Sequence, residues 1–125
     1  MKNDEVKTLL LPYPPSANRY WRNMRGRMVR SAEANAFRTI VGRTCMAEEV
    51  RLLEGNIQVA IGLHPVAKKN GEASATRLDL DNCIKVVLDA LNGHAYTDDK
   101  QIVKITAEVA GPLQGGGVSI AWAAV

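Results

Sequence analysis

Acidic residues are missing from residues 6 to 32, although the chain carries 13 aspartates and glutamates elsewhere. Aromatic side chains are also scarce, at 5%, so aliphatic residues must do most of the packing. The two cysteines, Cys45 and Cys83, form no Cys-x-x-Cys pair and have no histidine at ligand spacing. They are expected to be buried, reduced thiols rather than a disulfide. His64 and His94 are equally isolated, which sets a zinc site aside. No apolar run approaches the roughly 18 residues needed to span a bilayer. Met1-Lys2-Asn3-Asp4-Glu5 has no hydrophobic signal region behind it, so a cytoplasmic protein is expected. With 125 residues, 46% of them apolar, a single domain over 1–125 with its own core is the natural expectation.

The acid-free segment is rich in cations instead: Lys7, Arg19, Arg22, Arg25, Arg27 and Arg30. Arginine is the residue best suited to forked contacts with phosphate. A net charge of +3 says little, but its distribution says more, because five of the six aspartates fall between Asp79 and Asp99. Such a separation suits a protein that binds a polyanion and also holds a divalent metal.

Periodicity places these segments on elements. Val6 to Leu11 reads as a short strand that stops at Pro12. Pro12 to Asn18, with three prolines, is excluded from regular helix or central strand. An Arg-rich loop centred on Gly26 follows, with Ser31 as an N-cap and a helix predicted from about Ala32 toward Leu53. Ile57, Val59, Ile61 and Leu63 alternate with smaller or polar residues as a half-buried strand does. Residues 65 to 77 read as an exposed basic loop. A second helix runs from about Leu80 to Asn92, with Ile84, Val87, Leu88 and Leu91 as its apolar stripe and Gly93 as its stop. Strands follow through Val103, Ile105, Ala107 and Val109, then through Val118, Ile120, Trp122 and Ala124. The order predicts an α+β fold, about four strands in a mixed or antiparallel sheet with two main helices on one face.

The chemistry centres on the second helix. Asp79 and Asp81 stand at its start, where an aspartate is also a good cap. Lys85 and Asp89 share a stripe with Asp81, and Asp98-Asp99 follows in the next turn. Each feature alone is ordinary. Together, Asp79, Asp81, Asp98 and Asp99 are a candidate magnesium site, because gathered carboxylates repel unless a cation joins them. Phosphodiester hydrolysis is the matching reaction. A calcium loop beginning at Asp79 fails, since its sixth position is Ile84 and its twelfth is Ala90. An aspartyl-phosphate phosphatase also fails, because Asp79 follows a polar loop rather than a buried strand. The Arg-rich loop, with Arg19, Arg22, Arg25 and Arg27, is the candidate nucleic-acid surface, and Lys68 and Lys69 are a second contact.

The segments Arg77-Leu78-Asp79-Leu80-Asp81-Asn82, Lys85, Asp89-Ala90-Leu91-Asn92-Gly93 and Asp98-Asp99-Lys100-Gln101-Ile102 resemble the signature of RusA-type Holliday junction resolvases. Pro14-Pro15-Ser16-x-Asn18-Arg19-Tyr20-Trp21 is similar to that family's opening motif. The resemblance implies a homodimeric, magnesium-dependent endonuclease, often prophage-encoded, that resolves four-way DNA junctions by paired nicks. Manganese would be able to substitute. It also implies catalytic roles for Asp79, Asp81, Asp99 and Lys85, with Asp98 beside them, and it adds Asn18 to the DNA-facing residues. Asn82 and Asp89 match the motif but equally suit capping and helix packing. Tyr20 and Trp21 would stack on unpaired bases or anchor the loop to the core, and the core role is favoured. Two other functions remain open: a nuclease for other branched DNA, and a non-catalytic prophage DNA-binding module.

Overall fold

The computed structural model describes residues 6–125, so the reading of the Met1–Glu5 terminus lies outside the described residues. A four-stranded sheet is ordered β1-β6-β4-β5. Its strands are β1 (Lys7–Leu11), β4 (Ile57–His64), β5 (Ile102–Val109) and β6 (Gly117–Ala124). β6 runs antiparallel to both β1 and β4, while β5 lies parallel to β4, so the sheet is mixed. Helices α2 (Ala32–Ala47) and α3 (Leu80–Leu91) supply the second layer. The α+β expectation therefore holds.

The core lies between these layers. Ile57, Val59, Ile61 and Leu63 of β4 and Val118, Ile120 and Trp122 of β6 are buried against Phe37, Val41, Val86, Val87 and Leu91. The α3 stripe is rotated from the one predicted. Cys83, Val86 and Ala90 are fully buried, whereas Ile84 is only half-buried. Both cysteines are free and buried, and burial pushes their thiols up to about 11 for Cys45 and about 12 for Cys83.

Helix α2 ends earlier than predicted, at Ala47 rather than near Leu53. Its last buried residue is Cys45, and the positions three and four further on are Glu48 and Glu49. Continuing the helix would turn two carboxylates toward the core. Instead Glu49 takes a left-handed conformation (φ 54°) and the Val50 amide bonds back to the Cys45 carbonyl at 2.9 Å.

The Arg-rich segment is more ordered than a loop. Ser16 caps a one-turn helix α1 (Ala17–Tyr20), which takes in the last two residues of the stretch excluded from helix. A hairpin of β2 (Trp21–Met24) and β3 (Arg27–Arg30) follows. Its turn residues Arg25 and Gly26 both have positive φ, 54° and 82°, as a type I′ turn requires.

Strand β5 also differs. It is an edge strand, and Val103, Ile105 and Val109 are 55%, 46% and 42% exposed.

Candidate active site

Asp79 is the N-cap residue of α3, yet its carboxylate makes no capping hydrogen bond. Its backbone serves the helix instead, with the Cys83 amide donating to the Asp79 carbonyl at 3.1 Å. Asp81 in the first turn and Lys85 one turn later are exposed. Among the described residues none of the three joins an ion pair. The approach to Asp79 is held from behind, where the Leu78 amide donates to the Tyr13 hydroxyl at 2.7 Å.

Asp98 and Asp99 are built differently. Asp98 caps the 3-10 turn Asp99–Gln101, accepting from the Lys100 amide at 2.9 Å. Gln101 closes the capping box by accepting from the Asp98 amide at 3.1 Å. It also donates to the Leu53 and Gly55 carbonyls at 2.8 and 2.9 Å, pinning the turn to the loop after α2. Asp99 is exposed and accepts from Asn92 Nδ2 at 3.4 Å.

That last contact locates Asp99. Asn92 is the C-cap of α3, whereas Asp79 and Asp81 stand at the start of the helix. The eleven residues from Asp81 to Asn92 span about 16 Å at 1.5 Å per residue. A magnesium ion holds its oxygen ligands at about 2.1 Å and cannot bridge that gap. Among the described residues no three carboxylate, histidine or cysteine side chains stand close enough to share an ion. The four carboxylates therefore do not gather within one chain. The topology explains why: α3 connects two parallel strands, so the turn leading into β5 lies at the opposite pole from the one that opens the helix.

Asp89 lies on the same helix but has a different task. Its carboxylate accepts from Arg30 Nε and Nη2 at 2.8 and 2.9 Å and from the Tyr20 hydroxyl. Burial alone would raise this carboxyl, but the Arg30 and Tyr20 hydrogen bonds outweigh it and hold it below the usual carboxylate range. Burial, reinforced by Asp89, pushes the Tyr20 phenol far upward. Arg30 also lies over the Trp21 ring, 5.7 Å from its centroid. Tyr20 is fully buried and Trp21 half-buried, which places both in the anchoring role. Sequence spacing offered no sign of this clasp, because Tyr20 and Asp89 are 69 positions apart.

The clasp fixes the hairpin to α3 and leaves Arg22, Arg25 and Arg27 exposed. Arg19 is exposed but paired with Glu33 at 3.0 Å, and Lys68 is 3.9 Å from Glu72. Asn18 and Lys69 are exposed. His64 is engaged structurally, its ring nitrogens 2.8 Å from the Gly111 carbonyl and 2.6 Å from Ser119 Oγ.

The family model for endodeoxyribonuclease RusA matches residues 12–121 of this chain. Over 114 residues the chain is 37% identical to the crossover junction endodeoxyribonuclease RusA of Escherichia coli strain K12, covering 88% of this chain and 87% of the relative. The corresponding protein of Enterobacteria phage 82 is 35% identical over 111 residues, covering 87% and 86% of the two chains.

Proposed function

We propose that this chain, which belongs to the RusA family of endodeoxyribonucleases, resolves four-way DNA junctions as a homodimer by paired, magnesium-dependent phosphodiester cleavage. The observation that carries this is Asp79. A carboxylate at a helix start that performs no capping, beside exposed Asp81 with Lys85 one turn further on from Asp81, lacks a structural task. Magnesium commonly takes one or two carboxylates plus waters and substrate phosphate oxygens, so the Asp79–Asp81 pair fits it, and manganese accepts the same hard oxygens. When bound, the metal supplies water activation and neutralises charge on the phosphate.

The chain's own residues divide the remaining work. Asp79 and Asp81 would hold the ion. Lys85, on the same stripe as Asp81, places its ammonium where negative charge develops on the scissile phosphate and orients the attacking water. The hairpin arginines Arg22, Arg25 and Arg27 hold the phosphates that flank the branch, with Asn18, Arg19, Lys68 and Lys69 around them. Asp98 is left to its capping task.

Asp99 belongs with Asp79 and Asp81 but lies at the other pole of α3. We therefore assign it to the site of a second copy. Two identical chains facing one another across a junction of approximate two-fold symmetry would each lend Asp99 to the other's carboxylate pair. The edge strand β5 begins directly after the Asp99 turn, and its exposed Val103, Ile105 and Val109 are an apolar stripe suited to such a contact.

The test is junction cleavage by Asp81→Asn and Lys85→Ala proteins. Both should lose at least a hundredfold in rate, on the order expected for removing electrostatic stabilisation of the transition state, while retaining junction binding. Cleavage at the wild-type rate by either protein would sink the assignment.

A further inference from the structure

A well-formed cavity lies away from Asp79 and Asp81. It is an open cleft of about 700 Å³ between α2 and the turn that ends α3. Its polar lining is Asn35, Arg38, Thr39, Arg43 and His94, and no acidic side chain contributes to it. From this geometry we infer a binding site for a DNA backbone phosphate, adjoining the scissile position, with Arg38, Arg43 and His94 as its donors.

Arg38 reaches the Asn92 carbonyl with Nη2 at 3.5 Å, the outer limit of a hydrogen bond. Its Nε is buried and has no hydrogen-bond partner among the described residues. Its charge is felt by Asp89, but that carboxylate is already neutralised by Arg30. Protein acceptors thus leave the guanidinium incompletely satisfied, and its half-exposed side chain lines the cleft. Arg43 is exposed, one helical turn and one residue further along the same helix. His94 is held close to the helix because residue 42 is glycine, where a Cβ would stand 3.0 Å from the His94 Cε1 atom.

Position decides which anion. Asn92, whose carbonyl meets Arg38, gives its side-chain Nδ2 to Asp99 at 3.4 Å. One residue therefore separates the cleft from a carboxylate assigned to the cleavage site. A phosphate seated in the cleft would belong to the strand that Asp99 helps to cut. This rests on the function proposed above. It extends the DNA footprint from the hairpin around to α2, a surface that sequence spacing did not single out.

The experiment measures binding of an immobile four-way junction by fluorescence anisotropy, without divalent metal and across a range of salt. Arg43→Gln is the primary variant, since an exposed position leaves the fold intact. It should weaken binding by roughly five-fold and make the log–log salt slope shallower by about 0.9, the value for one lost phosphate contact. Arg43→Lys should restore most of the affinity. Arg38→Gln, checked for an unchanged melting curve, should act in the same direction. Wild-type affinity and slope in Arg43→Gln would overturn the inference. So would His94 ring signals that shift with inorganic phosphate at constant ionic strength while Arg43→Gln binds the junction normally, which would assign the cleft to a free anion. Failure of the wild-type protein to bind branched DNA would overturn the functional proposal itself.

Discussion

Replacing Asp89 with asparagine preserves shape but removes the charge that three hydrogen bonds converge on. Hydrogen bonds to an ionised group contribute about 1.5–3 kcal/mol each, against about 0.5–1.5 kcal/mol when both partners are neutral. The Asp89 side chain is 13% exposed, but that of Arg30 is 36% exposed, so solvent recovers part of the loss on the arginine side. A net destabilisation of about 2–3 kcal/mol is expected. For a domain of this size that lowers Tm by roughly 6–15 °C, measurable by circular dichroism at neutral pH. The sign of the pH dependence follows from the lowered carboxyl. Its stabilisation is present above the ordinary value of 3.8 and is lost as pH falls through the folded-state value. The gap between wild type and Asp89→Asn should therefore close below about pH 4. Junction affinity should fall with it, because the hairpin loses its anchor on α3. A Tm within about 2 °C of wild type, or a gap unchanged in acid, would refute the clasp.

Mixing Asp81→Asn and Asp99→Asn proteins tests the shared site. Each should be inactive alone, but a mixed dimer would contain one site with neither substitution, so single-strand nicking should return at about a quarter of the wild-type site count. No recovery would place Asp99 in its own chain's site. The buried thiols predict that Cys45 and Cys83 resist iodoacetamide at pH 8 in the folded protein and react only after unfolding. Because both are raised in the fold, the stability they contribute is present below the free-thiol value of 9.0 and is lost as pH rises toward about 11 and 12. Native labelling of either at a free-thiol rate would contradict their burial.

Much of the fold was legible because local patterns and tertiary packing agree in this chain. The strict alternation of β4 and the glycine stop at Gly93 needed no knowledge of neighbours. The errors came where neighbours decide. The apolar alternation of β5 marked it as a strand, but only strand order shows it to be an edge. The end of α2 is set by which residues would next meet the core, which helical periodicity running toward Leu53 does not show. In the candidate site, residue types were readable and distances were not. Asp79, Asp81 and Asp99 carry the family motif, yet their separation along α3 depends on the direction in which β5 runs. Asp89 shares their stripe, and only the long-range Arg30 and Tyr20 contacts show that it anchors the hairpin. Tyr13 and Arg38 gave no local signal, because their tasks are hydrogen bonds with backbone far away in sequence.

The most direct measurement compares cleavage of a mobile four-way junction, a flap and a linear duplex at one magnesium concentration. Symmetric paired nicks are expected in the junction, with little cleavage of the flap and the duplex, and loss of junction cleavage in the Asp81→Asn protein. Equal cleavage of all three substrates would contradict junction resolution, and binding without cleavage of any would contradict the active site itself.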